Sequence, residues 1–182
     1  EEYDFELADE LLDNPDYLLE AAEMAVQGIE VPALDIEKFA PHIRFFNLPK
    51  DRQPLIKDIG SQYVGKLISV EGVIRQITDA LPKLTIATWQ CRRCGNTYKT
   101  PQEGQELQMP AFCECRHRDF LLVQEQSSFI DYQKVQIQEP LEKLKGNQQA
   151  SYIDIYLSDD QVHKVTAGDK VKFCGMLRLK PP

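Results

Sequence analysis

The spacing of hydrophobic residues changes about one third of the way along the chain. Residues 17–26 form an apolar run interrupted by two glutamates, which is typical of an amphipathic helix. The Asn-Pro-Asp sequence at 14–16 supplies an N-cap residue, a proline for the first helical turn and an early acid, and Gly28 follows the run. A shorter apolar pattern in residues 5–12 predicts another helix. We therefore predict a small helical bundle over residues 1–62.

From residue 63 onward, apolar and polar residues alternate, and β-branched residues become frequent. This pattern predicts β-strands, because successive side chains of a strand point to opposite faces of its sheet. The segment 140–150 between two of these strands is polar and too long for a simple hairpin, which is typical of a functional loop, with an ordinary flexible connection as the alternative. The clearest strand patterns lie in residues 67–74, 129–138 and 153–157.

Two of the strand segments resemble each other. Residues 65–74 and 168–177 both begin with glycine, carry a second glycine seven positions later and place apolar residues at the same offsets. A glycine inside a strand, here Gly72 or Gly175, usually marks a bulge or a sharp bend. Two bent strands separated by an insertion suit a small five-stranded OB-fold β-barrel, although a β-sandwich remains an alternative. The fold class is thus α+β, with barrel strands predicted at 63–90 and 123–182.

The insertion between the two barrel parts, residues 91–122, contains four of the five cysteines. Two intervening residues in the first pair allow both sulfurs to face one ion, and Gly95 permits the backbone to turn beneath them. The second pair has only one intervening residue, so His117 is an alternative ligand to its second cysteine. In a chain without secretory features, such cysteines indicate metal binding. We predict a zinc ribbon with one structural zinc ion held by Cys91, Cys94, Cys113 and Cys115.

A net charge of −8 would by itself disfavour binding to a polyanion such as nucleic acid. The charge is, however, unevenly distributed along the chain. Residues 1–62 hold five basic and fifteen acidic residues, whereas residues 63–182 hold sixteen and fourteen. The acidity belongs to the helical segment, and the mildly basic remainder is compatible with nucleic acid. We predict that DNA is contacted by Lys83, Arg178, Lys180, Arg75, Lys170 and Lys172.

The sequence shows no arrangement of residues typical of catalysis. Gly65-Lys66 lacks the glycine pattern of a phosphate-binding loop, and none of the three histidines has a partnered nucleophile. No apolar run approaches the roughly 20 residues of a membrane-spanning helix. The first residues also lack the basic-then-apolar order of a signal peptide, so we expect a cytoplasmic protein. Because no catalytic arrangement is evident in the sequence, we expect no enzymatic activity of its own.

Three segments together resemble the N-terminal domain of archaeal minichromosome maintenance (MCM) replicative DNA helicases. They are residues 63–75, 136–142 with their Gln-Glu-Pro sequence, and 169–177. The resemblance implies a role in DNA replication in a prokaryotic cell, as a ring that encircles single- or double-stranded DNA. That ring is expected to be a homo-hexamer or double hexamer, with zinc ribbons in the contacts between rings. The loop that relays the state of DNA to the ATPase domain would include Glu139, Pro140, Lys143, Lys145 and Gly146.

The resemblance also sets limits on what this chain is expected to do. The chain ends before any ATPase motif and at the base of the hairpin that would project into the ring channel, so we expect DNA binding without ATP hydrolysis. The family commonly uses two intervening residues in its second cysteine pair, and this chain has one. A stand-alone single-stranded DNA-binding protein of OB-fold and zinc-ribbon type is the alternative function.

Overall fold

A computed structural model describes residues 4–29, 41–102, 106–144 and 149–179. It contains helices α1 and α2, seven strands β1 to β7 and six short 3₁₀ turns. The helices are Phe5–Asp13 and Pro15–Gln27. The strands, in chain order, are Leu67–Ile77, Leu81–Cys91, Thr97–Pro101, Phe120–Leu122, Ser128–Gln138, Tyr152–Ser158 and Lys170–Met176. The turns are Lys50–Arg52, Ile56–Asp58, Ser61–Tyr63, Gln124–Gln126, Leu141–Lys143 and Asp159–Gln161.

Contacts within the chain divide it into two compact units. The first unit takes the described residues of Glu1–Ile74, Ile137–Ile153 and Gly168–Pro182. The second takes those of Arg75–Gln136 and Asp154–Ala167. This division cuts across the four segments expected from the sequence, because strands of both barrel parts contribute to each unit. The four segment boundaries therefore stay predictions.

Both helices expected before residue 28 are present in the first unit. The Asp4 side chain caps α1 by accepting a hydrogen bond from the Leu7 amide at 3.0 Å, and Pro15 occupies the first position of α2. At the end of α1, Asp13 accepts a hydrogen bond from Arg52 at 2.8 Å and pairs with Lys66 at 3.0 Å. These two cations hold the pKa of Asp13 below its usual value, through hydrogen bonds from Arg52 first and Lys66 second. The acidic helical segment is thus tied by charge to the start of β1.

The strands form one sheet in the order β3-β2-β5-β1-β7, with β4 also paired to β2 and β6 to β5. In the first unit, β1 and β7 are antiparallel neighbours, from Leu67 opposite Met176 to Val73 opposite Lys170. The two segments that resemble each other in sequence are therefore hydrogen-bonded partners. In the second unit, β2 is antiparallel to β3, β4 and β5. Strands β3 and β4 both lie within the segment predicted as an insertion.

Gly72 lies where two stretches of backbone come closest in the first unit. A Cβ atom at this position would lie 2.8 Å from the carbonyl oxygen of Gln138 and 2.9 Å from Cδ1 of Ile137. Gly175 lies on the neighbouring strand, and a Cβ there would meet nothing within 4 Å. Only the first glycine is therefore required by packing.

The two glycines make a matched pair of substitutions. We expect Gly72→Ala to lower the free energy of unfolding by about 1–3 kcal/mol, because the added methyl group overpacks a backbone contact. Gly175→Ala should stay within about 1 kcal/mol of the unmodified chain, because its site is open and its backbone is one that alanine adopts. Urea unfolding measures both changes. Equal effects of the two substitutions would contradict the proposed close approach.

Candidate metal centre and nucleic-acid interface

The first cysteine pair lies in a tight turn at the end of β2. The amide of Gly95 donates a hydrogen bond to the carbonyl of Cys91 at 2.9 Å, and the Cys91 amide donates to the carbonyl of Asn96 at 2.9 Å. Gly95 has a φ of 79°, a left-handed conformation that glycine adopts without steric cost. The turn predicted from the glycine after Cys94 is present.

The second cysteine pair uses a different turn. The Cys113 carbonyl accepts from the Arg116 amide at 2.7 Å, and the Cys113 amide donates to the carbonyl of His117 at 2.8 Å. Arg116 has a φ of 64°, which is uncommon for a residue with a Cβ atom. This left-handed residue closes the turn although the pair has one intervening residue fewer than the first pair.

The four cysteine sulfurs converge on one point. All four lie within 4.8 Å of one another, with Sγ of Cys91 3.7 Å from that of Cys115 and Sγ of Cys94 3.3 Å from that of Cys113. Four sulfurs bound to zinc at about 2.3 Å form a tetrahedron with edges of about 3.8 Å. The donor set and its spacing therefore fit a tetrahedral zinc ion. Among the described residues, this group of donors does not include a nitrogen of His117.

Neighbouring groups favour the thiolate at two of the four cysteines, Cys91 and Cys113, and disfavour it at Cys94 and Cys115. The Tyr98 hydroxyl lies 3.2 Å from Sγ of Cys113, and its hydrogen bond lowers the pKa of that thiol to about 6. The backbone amide of Cys94 lowers the pKa of Cys91. At Cys94 the amide of Asn96 favours the thiolate, but the Cys113 sulfur, burial and the other two cysteines together outweigh it and raise the pKa to about 12. Four thiolates this close repel one another, so a divalent cation would stabilise the cluster by binding them.

The metal-ligand cluster rests on a small hydrophobic core. Buried Trp89 and Phe120 pack beside Cys91 and Cys113, and the Tyr98 ring meets the Phe120 ring edge-on at 5.9 Å. The Trp89 indole N–H donates to the carbonyl of Gln108 at 3.1 Å. Because Trp89 is only 5% exposed, its ring packs in this core and does not offer a surface for base stacking.

Removal of one thiol tests the metal site. We expect the unmodified chain to hold one zinc ion and Cys94→Ser to lose most of it, because a hydroxyl is a far poorer zinc ligand than a thiolate. Elemental mass spectrometry measures the zinc, and hydrogen exchange should quicken in β3 while β1 and β7 stay protected. Cys174→Ala is the control, since Cys174 lies in β7 and is not part of the cluster. Full zinc retention in Cys94→Ser would refute the four-thiolate site.

The cationic residues expected at DNA differ in how far they are already paired. Lys83 lies on β2 with its ammonium 5.0 Å from the centre of the Tyr132 ring, and Arg75 is exposed on β1. Lys170 pairs with Glu142 at 3.0 Å and with Glu71 at 3.5 Å. The remaining described candidates, also in the first unit, are Lys172, which donates to Gln53 at 2.7 Å, and Arg178, which pairs with Asp16. Lys180 lies outside the described residues.

The segment expected to communicate with an ATPase domain is tied to β1 by charge. Lys143 pairs with Glu71 at 2.6 Å, and the hydrogen bond from Lys143 lowers the pKa of the Glu71 carboxyl. The Glu139 amide donates to the carbonyl of Ser151 at 3.0 Å, and Pro140 follows it directly. Lys145 and Gly146, the other residues expected in this loop, lie outside the described residues.

Glu139 differs from the surface acids around it because its side chain is buried. It is 1% exposed, and neither carboxylate oxygen has a hydrogen-bond partner within the described residues. Burying a carboxylate without a partner is costly. Nothing in the sequence signals this burial, since Glu139 lies at the polar end of a strand pattern.

Comparison with known proteins identifies the family. A family model described as MCM OB domain matches residues 55–181, which include all seven strands. The chain belongs to the MCM family. This assignment confirms the predicted OB fold and explains the extended antiparallel sheet, while the zinc ribbon stays a prediction that the cysteine cluster supports.

Relatives of the MCM chain come from distant organisms. It is 28% identical over 96% of its length to the DNA replication licensing factor MCM6 of Arabidopsis thaliana, of which it covers 22%. It is 31% identical over 80% of its length to the minichromosome maintenance protein MCM of Saccharolobus solfataricus, of which it also covers 22%. The MCM chain thus spans about a fifth of the length of these curated relatives. Because these relatives come from such different organisms, they do not confirm the predicted archaeal type of the helicase.

No helix of the described residues is both long enough and apolar enough to cross a bilayer.

Proposed function

We propose that this chain is the DNA-binding and ring-assembly domain of a replicative DNA helicase of archaeal type. The observation that carries the proposal is the match of residues 55–181 to an MCM OB domain. Relatives named for DNA replication licensing and minichromosome maintenance support it. In this proposal the domain encircles single- or double-stranded DNA at the replication fork, in the cytoplasm of a prokaryotic cell.

The proposed division of work leaves catalysis to another part of the parent protein. This domain would bind DNA, while ATP hydrolysis would belong to an ATPase domain outside the chain. The loop with Glu139, Pro140, Lys143, Lys145 and Gly146 would carry the signal between the two domains. The ion pair of Lys143 with Glu71 supports this role, because it couples the loop directly to a barrel strand at 2.6 Å.

The four-cysteine cluster would hold a structural zinc ion that shapes a contact between rings. The cluster is closed by four protein ligands, and such sites stabilise small folds and do not activate water. Exposed apolar side chains in the same insertion suit an assembly role, because a contact between rings would remove their apolar surface from water. They are Leu107, Met109 and Phe112, each more than half exposed.

The DNA contacts would begin at cations that are not already neutralised. Lys83 and Arg75 belong to the second unit and form no carboxylate salt bridge within the described residues. Lys170 and Arg178 are paired with carboxylates, so each must give up a partner before it reaches a phosphate. A phosphate contact made by breaking an ion pair adds less net affinity. Lys83 and Arg75 are therefore the leading contacts among the described candidates.

A salt titration tests DNA binding by this domain. We expect affinity for a fluorescent oligothymidylate to fall as salt rises, because phosphate contacts release counterions. Lys83→Ala should reduce affinity about fivefold at low salt and lower the slope of log affinity against log salt by about 0.7–1. Fluorescence anisotropy measures both quantities. Lys50→Ala, an exposed lysine in a 3₁₀ turn of the first unit, is the charge-matched control.

An equal effect of Lys83→Ala and Lys50→Ala would show that only net charge matters and would move the binding surface away from Lys83. Absence of binding at low salt would contradict a DNA-binding role for this domain.

The assembly role predicts a particular mass in solution. We expect light scattering at rising concentration to approach six or twelve times the 20.9 kDa of one chain. A hexamer or double hexamer is the closed cyclic assembly that encircles DNA. A mass of 20.9 kDa at every concentration would instead favour a stand-alone single-stranded DNA-binding protein.

A further inference from the structure

Two tyrosines from neighbouring strands form a parallel stack on the second unit. Tyr132 of β5 and Tyr156 of β6 have ring centroids 5.3 Å apart and an angle of 12° between their planes. Such an offset arrangement is a favourable one for aromatic rings. The ammonium of Lys83 lies over the Tyr132 ring, 5.0 Å from its centre. Three strands of the sheet therefore bring one cation and two rings together.

The stack lies on the face of the sheet that points away from the core. Along β5, Gln133, Val135 and Ile137 are buried at alternate positions, so Tyr132 points to the opposite face; Gln138, the last residue of the strand, is buried as well. On β6, Leu157 is buried and Tyr156 is 46% exposed. A ring pair that served only to fill the core would not leave nearly half of one tyrosine in solvent.

Polar groups on the same face supply hydrogen bonds but no deep cavity. Lys134 pairs with Asp154 at 2.7 Å, and Gln136 donates to the same carboxylate at 3.1 Å. A pocket of about 50 Å³ beside them is lined by Gln76, Thr78, Lys134 and Gln136. That volume holds only a few water molecules. A planar ligand would therefore lie on the exposed tyrosine and would not enter the pocket.

We propose that the Tyr132–Tyr156 stack is a platform on which an unpaired base of single-stranded DNA lies, with Lys83, at the Tyr132 end of the stack, available to a phosphate of the same strand. This inference rests on the proposed DNA-binding function and assigns it a site and a strand preference. Bases in a duplex have both faces covered by their neighbours, whereas an unpaired base offers a free face. The outer ring, Tyr156, provides the stacking surface, and Tyr132 beneath it holds that ring in place.

Two probes that differ only in their bases separate stacking from phosphate contacts. One is a fluorescent oligothymidylate, and the other is an abasic oligomer of the same length. The full 182-residue chain should prefer the oligothymidylate. Tyr156→Ala should reduce binding of the oligothymidylate about five- to a hundredfold and leave the abasic oligomer unchanged, because stacking on a ring contributes that much per base. Tyr156→Phe keeps the ring and should retain the preference.

Tyr17→Ala is the matched control, since Tyr17 is an exposed tyrosine of α2 in the first unit and lies outside the proposed site. Photocrosslinking of an iododeoxyuridine oligomer to the unmodified chain gives a second measurement that does not depend on how the variants fold. Peptide mapping should place the crosslink at Tyr156 or Tyr132.

The outcomes distinguish this inference from the function beneath it. Equal affinity for both probes, with a steep salt dependence, would overturn the platform and keep DNA binding. A crosslink that maps only to peptides without these tyrosines would also overturn the platform. Failure to bind either probe at low salt would overturn the DNA-binding function itself.

Discussion

The close approach of backbone at Gly72 is the constraint on which the first unit depends. Because residue 72 has no side chain, the Gln138 carbonyl and the Ile137 side chain can pack directly against β1. On its other edge β1 pairs with β7 over seven residues. The chain then leaves β5 at Gln138 and buries Glu139 before the turn at Leu141–Lys143. The position of the loop with Glu139 and Lys143 therefore follows from the absence of one Cβ atom.

Most of the strands could be predicted because their signal is local. The alternation in residues 67–74 and 129–138 reflects one buried face, and the glycines at 72 and 175 marked the pair of strands that bond to each other. The register between them, and which glycine is packed, could not be predicted, since both depend on partners about 65 to 110 residues away in sequence. Strand β2 lies within the barrel part predicted at 63–90 but has no clear strand pattern of its own. Pro82 and Lys83 interrupt its early alternation, and three of its four buried residues, Ala87 to Trp89, are consecutive.

Part of the metal centre could likewise be predicted from the sequence, and part of it could not. The first cysteine pair and Gly95 form a turn that the sequence shows directly. The second pair looked too short for a regular turn, and its geometry depends on a left-handed Arg116 that no sequence rule for arginine would suggest. The Tyr98 hydroxyl, which favours the Cys113 thiolate, lies fifteen residues from that cysteine. The spacing of the metal ligands can therefore be predicted from the sequence. The groups that change the pKa of those thiols cannot, because the pairing of β2 with β3 brings them to the site.

A list of basic residues does not by itself define a DNA-binding surface, because the neighbours of each cation decide whether it is available to a phosphate. Composition identified the mildly basic part of the chain, but it could not tell that Lys170 and Arg178 are held by acids while Lys83 lies over a ring. A lysine over an aromatic face is positioned without being neutralised, so its full charge remains available to a phosphate. The same contact places an exposed tyrosine stack beside that charge. Phosphate attraction alone does not distinguish one strand from two, whereas a flat aromatic surface next to a cation without a carboxylate partner among the described residues favours the strand whose bases are exposed.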